Sequence, residues 1–245
     1  GGSTSRERRP LSAWSPGTSV AATFQPALEV DRYMYSETVS KLSLDAAEAW
    51  QGAVESLLQA MEHGRSVIGV AGAEPCCGCT TTLICLARLL ARRGLRIAVV
   101  DGDFRTAQLA SEMGLAVEVG WEHVLGGRLP LAECVVVSLA DEIALLPLVE
   151  GGVEYAEKLE TVQASVTAGV LRYHFDLVLF DLGSLSVPTQ AVASQRVARQ
   201  CRLDGVVLVT NSASRNCGGL ELLEACAPDL ASVYLGDIAN FVDQA

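Results

Sequence analysis

The stretch GAEPCCGCTT, residues 72–81, decides the fold, because it joins a predicted strand to a predicted helix through a turn that contains glycine. Five apolar residues, VIGVA at 67–71, precede the turn and predict a buried strand. A helical pattern of apolar residues follows from 80 to 93, and Gly94 ends it. This order of elements is typical of loops that bind phosphate at a helix N-terminus.

Such a loop binds phosphate through backbone N–H groups, a lysine that reaches the outer phosphates, and a Ser or Thr hydroxyl that holds Mg²⁺. Gly72, Gly78 and Thr80 stand at the required spacing, but the lysine position is Cys79. The two lysines of the chain lie elsewhere, outside any matching motif. We therefore expect a phosphate cradle that binds ATP or ADP with Mg²⁺ weakly or not at all.

Short apolar runs alternate with helical stretches along the rest of the chain. Further strands are predicted at 96–100, around 145–146, and at 177–180, 206–209 and 233–238. Further helices are predicted at 44–62, 154–173, 188–202 and 219–226. Strands that are apolar on both faces and separated by helices indicate a mainly parallel sheet covered on both sides. The predicted fold class is therefore α/β, a three-layer α/β/α domain of the P-loop NTPase type with a deviant Walker motif.

Carboxylates follow two of the predicted strands. Asp101 and Asp103 come after the run 96–100, and Asp181 comes after the run 177–180. In open parallel sheets the site lies beyond the carboxyl ends of the strands, where carboxylates can hold Mg²⁺ and polarise water. We expect Thr80, Asp101, Asp103 and Asp181 to be the Mg²⁺ ligands, and Asp103 and Asp181 to be the catalytic residues if the domain is active.

Composition limits the organisation and the partners. Residues 1–43 are predicted to be a leader that is largely disordered or loosely docked, and 44–245 a single degenerate P-loop domain.

The net charge of −11 argues against a nucleic-acid partner, and no apolar run reaches the length of a membrane span. Eight cysteines at irregular spacing favour a reducing, cytoplasmic compartment over a disulfide framework. Arg88 and Arg92 are expected on a solvated helix face.

Several motifs in the same order resemble the bacterial tyrosine-kinase (BY-kinase) family, the cytoplasmic domain of polysaccharide co-polymerases, and its MinD/ParA-type ATPase relatives. The family loop S-x-x-P-G-E-G-K-[ST] is matched at 73–80 and its D-x-D-x-R motif at 101–105. Its Y-D-h-h-h-h-D-x-P-P motif is matched at 175–184, with Gly183 and Ser184 in place of the prolines. The segment 120–127 resembles the family's G-L-S-D-V-L-x-G, and 235–240 resembles a strand whose Asn helps to read adenine.

The resemblance spans about 45–243 and implies which residues contact a nucleotide. By this resemblance the cofactor-binding residues are Gly72, Pro75, Gly78, Cys79, Thr80, Thr81, Arg105 and Asn240. The implied partner is a membrane polysaccharide co-polymerase or export component, which would keep the domain cytoplasmic and peripheral at the inner membrane.

The positions at which this chain differs from the family lie in motifs that the family uses for function. The first loop glycine is Cys76, and the ring-forming E-x-x-R-x-x-R motif is reduced to Glu48, with Gln51 and Val54 where arginines belong. The family's tyrosine-rich tail is not expected, since the last tyrosine is Tyr234. The ring-oligomer motif is therefore not preserved.

Three functions remain open. The first is a pseudoenzyme, a binding or regulatory module linked to exopolysaccharide synthesis or export. The second is an active, atypical ATPase or ATP-dependent protein tyrosine kinase in which Arg105 or a partner residue replaces the lysine. The third is a redox sensor built on Cys76, Cys77 and Cys79.

Overall fold

The structure, a computed structural model, describes residues 24–44, 48–211 and 218–240. Its strands are β1 (Leu28–Val30), β2 (Val67–Gly72), β3 (Ile97–Asp101), β4 (Val136–Ser138), β5 (Ile143–Leu146), β6 (Leu177–Ser184), β7 (Gly205–Asn211) and β8 (Tyr234–Asn240). They form one sheet in the order β1-β4-β5-β3-β6-β2-β7-β8. The six strands from β5 to β8 in this order are parallel, and β4 runs antiparallel to β5. The predicted mainly parallel sheet is confirmed.

Helices cover both faces of the sheet. They are α1 (Glu37–Leu44), α2 (Gln51–Glu62), α3 (Cys79–Ala91), α4 (Leu109–Glu112), α5 (Trp121–Leu125), α6 (Leu131–Cys134), α7 (Val153–Glu157), α8 (Val162–His174), α9 (Pro188–Gln200), α10 (Gly219–Cys226) and α11 (Pro228–Ala231). Successive residues of a strand point to opposite faces. Accordingly, Val67 packs in the core beneath α8 and α9, whereas Ile68 packs in the core beneath α2 and α3. This confirms the three-layer α/β/α architecture.

The sheet places the strand ends that carry the candidate residues side by side. β2 lies between β6 and β7, and β3 lies on the other side of β6. Asp101 at the end of β3 is directly opposite Asp181 of β6. The turn after β2 therefore lies beside both carboxylate-bearing strand ends.

From Phe24 onward the predicted leader is part of the folded domain, which corrects the expectation of loose docking. β1 pairs with β4, and the buried Tyr33 hydroxyl lies 2.9 Å from the carbonyl oxygen of Val136 and 3.1 Å from that of Ile143. The remainder of that leader, residues 1–23, lies outside the described residues. The segment is anchored because it adds a strand to the sheet and buries an aromatic side chain beneath it.

Arg88 of α3 and Arg92, which directly follows α3, contact this N-terminal segment. Arg88 is half-buried, which corrects the expected solvated face for that residue, whereas Arg92 is exposed as expected. Arg88 Nη1 lies 2.5 Å from Ser43 Oγ, and its guanidinium carbon lies 4.1 Å from the centre of the Tyr35 ring. Arg92 Nη1 donates to the carbonyl oxygen of Ser43 at 2.8 Å. α1 is thus tied to the helix that follows the phosphate loop.

The helix predicted at 154–173 is interrupted. α7 ends at Glu157, a 3₁₀ turn covers Lys158–Glu160, and α8 begins after Thr161, whose backbone is extended. Leu159 in the turn is fully buried. The interruption lets the Leu159 side chain enter the core. The helical pattern of apolar residues in the sequence did not predict this interruption.

Candidate functional site

The turn after β2 has the backbone of a phosphate cradle. Gly78 has a φ of 86° and precedes the first residue of α3, and no side chain caps the first turn of that helix. A Cβ atom on Gly72 would lie 2.7 Å from the sulfur of Cys77 and 3.3 Å from the carbonyl oxygen of Glu74, so a larger residue there would displace the turn. The first turn of α3, which has no side-chain cap, presents free N–H groups and a partial positive charge to an anion. The turn can therefore bind phosphate through its main chain.

Cys79 is the first residue of α3, at the position that a lysine takes in an active loop. Its Sγ lies 3.3 Å from the carbonyl oxygen of Val70 and 3.4 Å from Oδ1 of Asp181. Burial of the thiol, followed by the negative charge of Asp181, raises the pKa of Cys79 well above its usual value. The group is therefore a neutral thiol, which supplies no positive charge to a bound phosphate.

Thr80 and Asp181 are in direct contact. The Thr80 hydroxyl donates to Oδ2 of Asp181 at 2.6 Å, and the backbone N–H of Gly183 donates to Oδ1 at 3.1 Å. Asp181 is 1% exposed, and burial raises its pKa to about 6, although these hydrogen bonds oppose the shift. The structure thus brings together the two residues that were expected to hold Mg²⁺ from the loop and from β6.

The two aspartates at the end of β3 have different surroundings. Both oxygens of Asp101 accept backbone N–H groups, from Asp103 at 3.2 Å and from Leu109 at 3.1 Å. Burial raises the pKa of Asp101 well above its usual value. Asp103 accepts the N–H groups of Arg105 and Thr106 and packs against the backbone at Gly183. Both aspartates therefore stabilise the loop after β3, and both lie beside Asp181.

The expected Mg²⁺ ligands do not form a ready-made metal centre. Within the described ranges, no group of three or more His, Cys, Asp or Glu side chains has the arrangement of a metal site. Mg²⁺ commonly uses one or two carboxylates, with phosphate oxygens and water as the remaining ligands. Thr80, Asp101, Asp103 and Asp181 lie at the same edge of the sheet, and the carboxyl oxygens of all three aspartates already accept hydrogen bonds within the protein.

The remaining predicted nucleotide contacts differ in position. Pro75 is exposed in the turn, and Thr81 is half-buried in the first turn of α3. Arg105 is exposed, and its backbone N–H is bound to Asp103. Asn240 at the end of β8 donates from Nδ2 to the carbonyl oxygen of Cys77 at 3.0 Å. In this structure Asn240 therefore supports the cradle itself.

Neither lysine of the chain replaces the missing one. Lys41 pairs with Glu37 at 2.7 Å on the exposed side of α1. The Nζ of Lys158 lies 4.7 Å from the centre of the Tyr155 ring. Both amino groups thus lie in other parts of the fold.

Gln190 is a site residue that no sequence motif indicated. It lies in the first turn of α9, is 1% exposed, and its amide contacts the ends of both β3 and β6. Glutamine is mostly exposed in folded proteins, so the sequence indicates a solvated side chain at this position. Only the crossing of α9 over these strand ends shows that Gln190 is buried.

Comparison with known proteins agrees with this geometry, although no protein-family model matches the chain. The tyrosine-protein kinase CpsD of Streptococcus pneumoniae is 24% identical over 202 residues, which cover 80% of this chain and 85% of CpsD. The kinase domain of the Escherichia coli tyrosine kinase ETK is 21% identical and has a TM-score of 0.68, with coverage of 84% of this chain and 81% of that domain.

A MinD protein provides the comparison with a bound nucleotide. The septum site-determining protein MinD from Pyrococcus horikoshii, solved in complex with Mg-ADP, is 21% identical, with a TM-score of 0.55 and coverage of 74% and 72% of the two chains. The fold, with its turn after β2, is the fold of MinD-type P-loop domains. Within that class the chain is similar to bacterial tyrosine kinases, and the resemblance inferred from its sequence is confirmed.

Proposed function

We propose that this chain is a degenerate P-loop domain that holds a nucleotide weakly and has lost phosphoryl transfer. It acts as a binding or regulatory module in exopolysaccharide synthesis or export. The observation that carries the proposal is the neutral Cys79 thiol at the lysine position, hydrogen-bonded to Asp181.

The cradle retains the groups that bind phosphate without a side-chain cation. Gly78 directs the chain into α3, the first turn of α3 is uncapped, and the Thr80 hydroxyl is next to Asp181. An incoming Mg²⁺ with ADP or ATP would supply the positive charge that the chain lacks. The residues that would hold it are Thr80, Asp101, Asp103 and Asp181, and phosphate oxygens of the nucleotide would be further ligands.

The loss of the lysine bears on transfer more than on binding. A transition state is stabilised by donors that are already positioned where its negative charge develops. Removal of one such donor lowers the rate by roughly 10²- to 10³-fold. Here the nearest replacement is a neutral thiol, which contacts a carboxyl group and supplies no positive charge. Weak binding with little or no turnover follows from this balance.

The alternative, an active atypical ATPase or protein tyrosine kinase, has one observation in its favour. Arg105 is exposed and lies two residues from Asp103, so its guanidinium is not buried elsewhere in the core. A guanidinium brought to the phosphates by a partner could replace the lysine charge. Turnover that Asp181→Asn abolishes would support this alternative.

The redox-sensor alternative has less support. The thiolate is the reactive form of cysteine, and burial raises the pKa of Cys77 as it does for Cys79. Cys76 is exposed and is the member of the cluster that oxidants can reach. Mass spectrometry after mild oxidation tests this alternative, and an unmodified Cys76 would remove it.

The partner in this proposal is a membrane polysaccharide co-polymerase or export component, which would hold the domain at the inner membrane. Similarity to CpsD over most of both chains supports a role beside such a protein. No helix in the described part of the chain has the length and apolar character required to cross a bilayer.

Isothermal titration with Mg-ADP tests the proposal. We expect a Kd of about 0.1–1 mM, or about −4 to −5.5 kcal/mol, for a cradle without its lysine. Gly78→Ala should abolish the heat, because a Cβ is strained at φ 86° in the cradle. Gly94→Ala is the matched control, since Gly94 has a φ of 80° after the far end of α3. Absence of binding in the unmodified protein would refute the proposal.

A further inference from the structure

The side chain of Gln190 connects the two strand ends that carry the aspartates. Its Nε2 lies 2.8 Å from the carbonyl oxygen of Gly102 and 2.7 Å from that of Leu182. Gly102 stands between the two aspartates at the end of β3, and Leu182 directly follows Asp181. One amide group therefore spans β3 and β6 within one residue of every carboxylate in the candidate site.

The two strand ends are packed tightly at this point. The N–H of Gly102 donates to the carbonyl oxygen of Asp181 at 2.8 Å. A Cβ on Gly183 would lie 2.5 Å from the carboxyl carbon of Asp103. A small shift of either strand end therefore changes the separation of Asp103 and Asp181.

The contacts of Gln190 leave its amide no donor for a ligand. An amide NH₂ group has two N–H bonds, and both have buried carbonyl oxygens as close acceptors. Gln190 can therefore influence a bound ion only through the strand ends that it holds.

We propose that Gln190 is a positioning residue that sets the separation of Asp103 and Asp181, and with it the Mg²⁺ dependence of nucleotide binding. The proposal rests on the nucleotide-binding function proposed above. Outer partners that orient metal ligands typically affect metal affinity by about 10- to 100-fold. Since Gln190 belongs to α9, it also joins this helix to the site.

Two neighbours on α9 provide controls. Ser194 Oγ lies 2.9 Å from the carbonyl oxygen of Leu182 and 2.8 Å from that of Gln190, so it supports the β6 side. Gln195 Nε2 lies 3.5 Å from the carbonyl oxygen of Cys226, on another side of the helix. Gln190→Met, Ser194→Ala and Gln195→Met therefore separate loss of the bridge from general weakening of α9.

Two measurements on the full chain test the proposal. The first is amide hydrogen exchange of the free protein, in which Gln190→Met should speed exchange at both 102–106 and 182–185. Ser194→Ala should affect 182–185 alone, and Gln195→Met neither segment. The second is the factor by which Mg²⁺ tightens ADP binding, which Gln190→Met should lower about 10-fold or more while the controls preserve it.

The outcomes separate this proposal from the proposed function. A folded Gln190→Met variant with the exchange pattern and the Mg²⁺ factor of Gln195→Met would overturn the positioning role. If the unmodified protein binds no ADP, the proposed function fails, and the exchange pattern still decides whether Gln190 holds both strand ends. If Gln190→Met does not fold, exchange of the Gln190 side-chain amide protons in the unmodified protein decides, because exchange at the rate of an exposed amide contradicts a bridge to Gly102 and Leu182.

Discussion

Restoring the lysine by Cys79→Lys is the perturbation that most directly separates a degenerate cradle from a differently built active site. Position 79 is the first residue of α3, where a long side chain can extend along the turn toward bound phosphate. The cysteine sulfur lies 3.4 Å from Oδ1 of Asp181. An ammonium introduced here is therefore placed between a buried carboxylate and the phosphate cradle.

The expected magnitude follows from this geometry. Two unit charges about 4 Å apart attract by about 4 kcal/mol at an effective dielectric constant of about 20, so the lysine will pair with Asp181 in the free protein. A charge-assisted hydrogen bond to phosphate contributes about 1.5–3 kcal/mol. We therefore expect Mg-ADP to bind about 10- to 150-fold more tightly. ATP turnover should rise by roughly 10²-fold or more.

The assay pairs calorimetric titration of Mg-ADP with release of inorganic phosphate from Mg-ATP. Cys79→Met is the matched control, because methionine is long and flexible and carries no charge. The reasoning is refuted if the lysine variant gains no more than the methionine variant. It is equally refuted if the unmodified protein hydrolyses ATP as fast as the lysine variant.

Three further predictions concern stability. Cys76 has a φ of 59°, so Cys76→Gly should raise the free energy of unfolding by about 1 kcal/mol in urea denaturation, while Cys76→Ala should not. The pKa of Asp181 is raised to about 6 in the folded state, which binds the proton more strongly than the unfolded chain, so stability should fall as pH rises from about 4 to about 6. Asp181→Asn should remove about 3 kcal/mol of that fall in unfolding titrations across this range, and an unchanged slope would contradict the shift. Tyr33→Phe should cost about 1–3 kcal/mol because two buried carbonyl groups lose their hydroxyl contact, whereas the exposed Tyr173→Phe should cost nothing measurable.

The strand, turn and helix at the start of the sheet could be predicted because their signals are local. The run 67–71 is apolar at every position, Gly78 adopts the left-handed backbone that glycine favours, and Gly94 follows the helix. The aspartates after β3 and β6 could be expected together because parallel strands end at the same edge. These parts of the fold and site could be predicted because residues close together in the sequence determine them.

The parts that were not predictable depend on contacts between distant segments. β1 has three residues and pairs with β4 more than 100 positions away, so no periodicity marks it. The break before α8 contains neither glycine nor proline, and it exists because Leu159 is needed in the core. Asn240 contacts the cradle only because β8 lies beside it in the folded sheet, and Gln190 contacts the ends of β3 and β6 only because α9 packs over them. Tertiary packing decides such positions.

A single-turnover experiment shows whether the cradle transfers phosphate without a lysine. The unmodified protein, at a concentration above its Kd for nucleotide, is mixed with a small amount of ATP labelled in its γ-phosphate, with Mg²⁺ present. We predict that the label stays in ATP and that the nucleotide is released intact on dilution. Rapid appearance of labelled inorganic phosphate or labelled protein, lost in Asp181→Asn, would contradict the account, because the cradle would then transfer phosphate without its lysine.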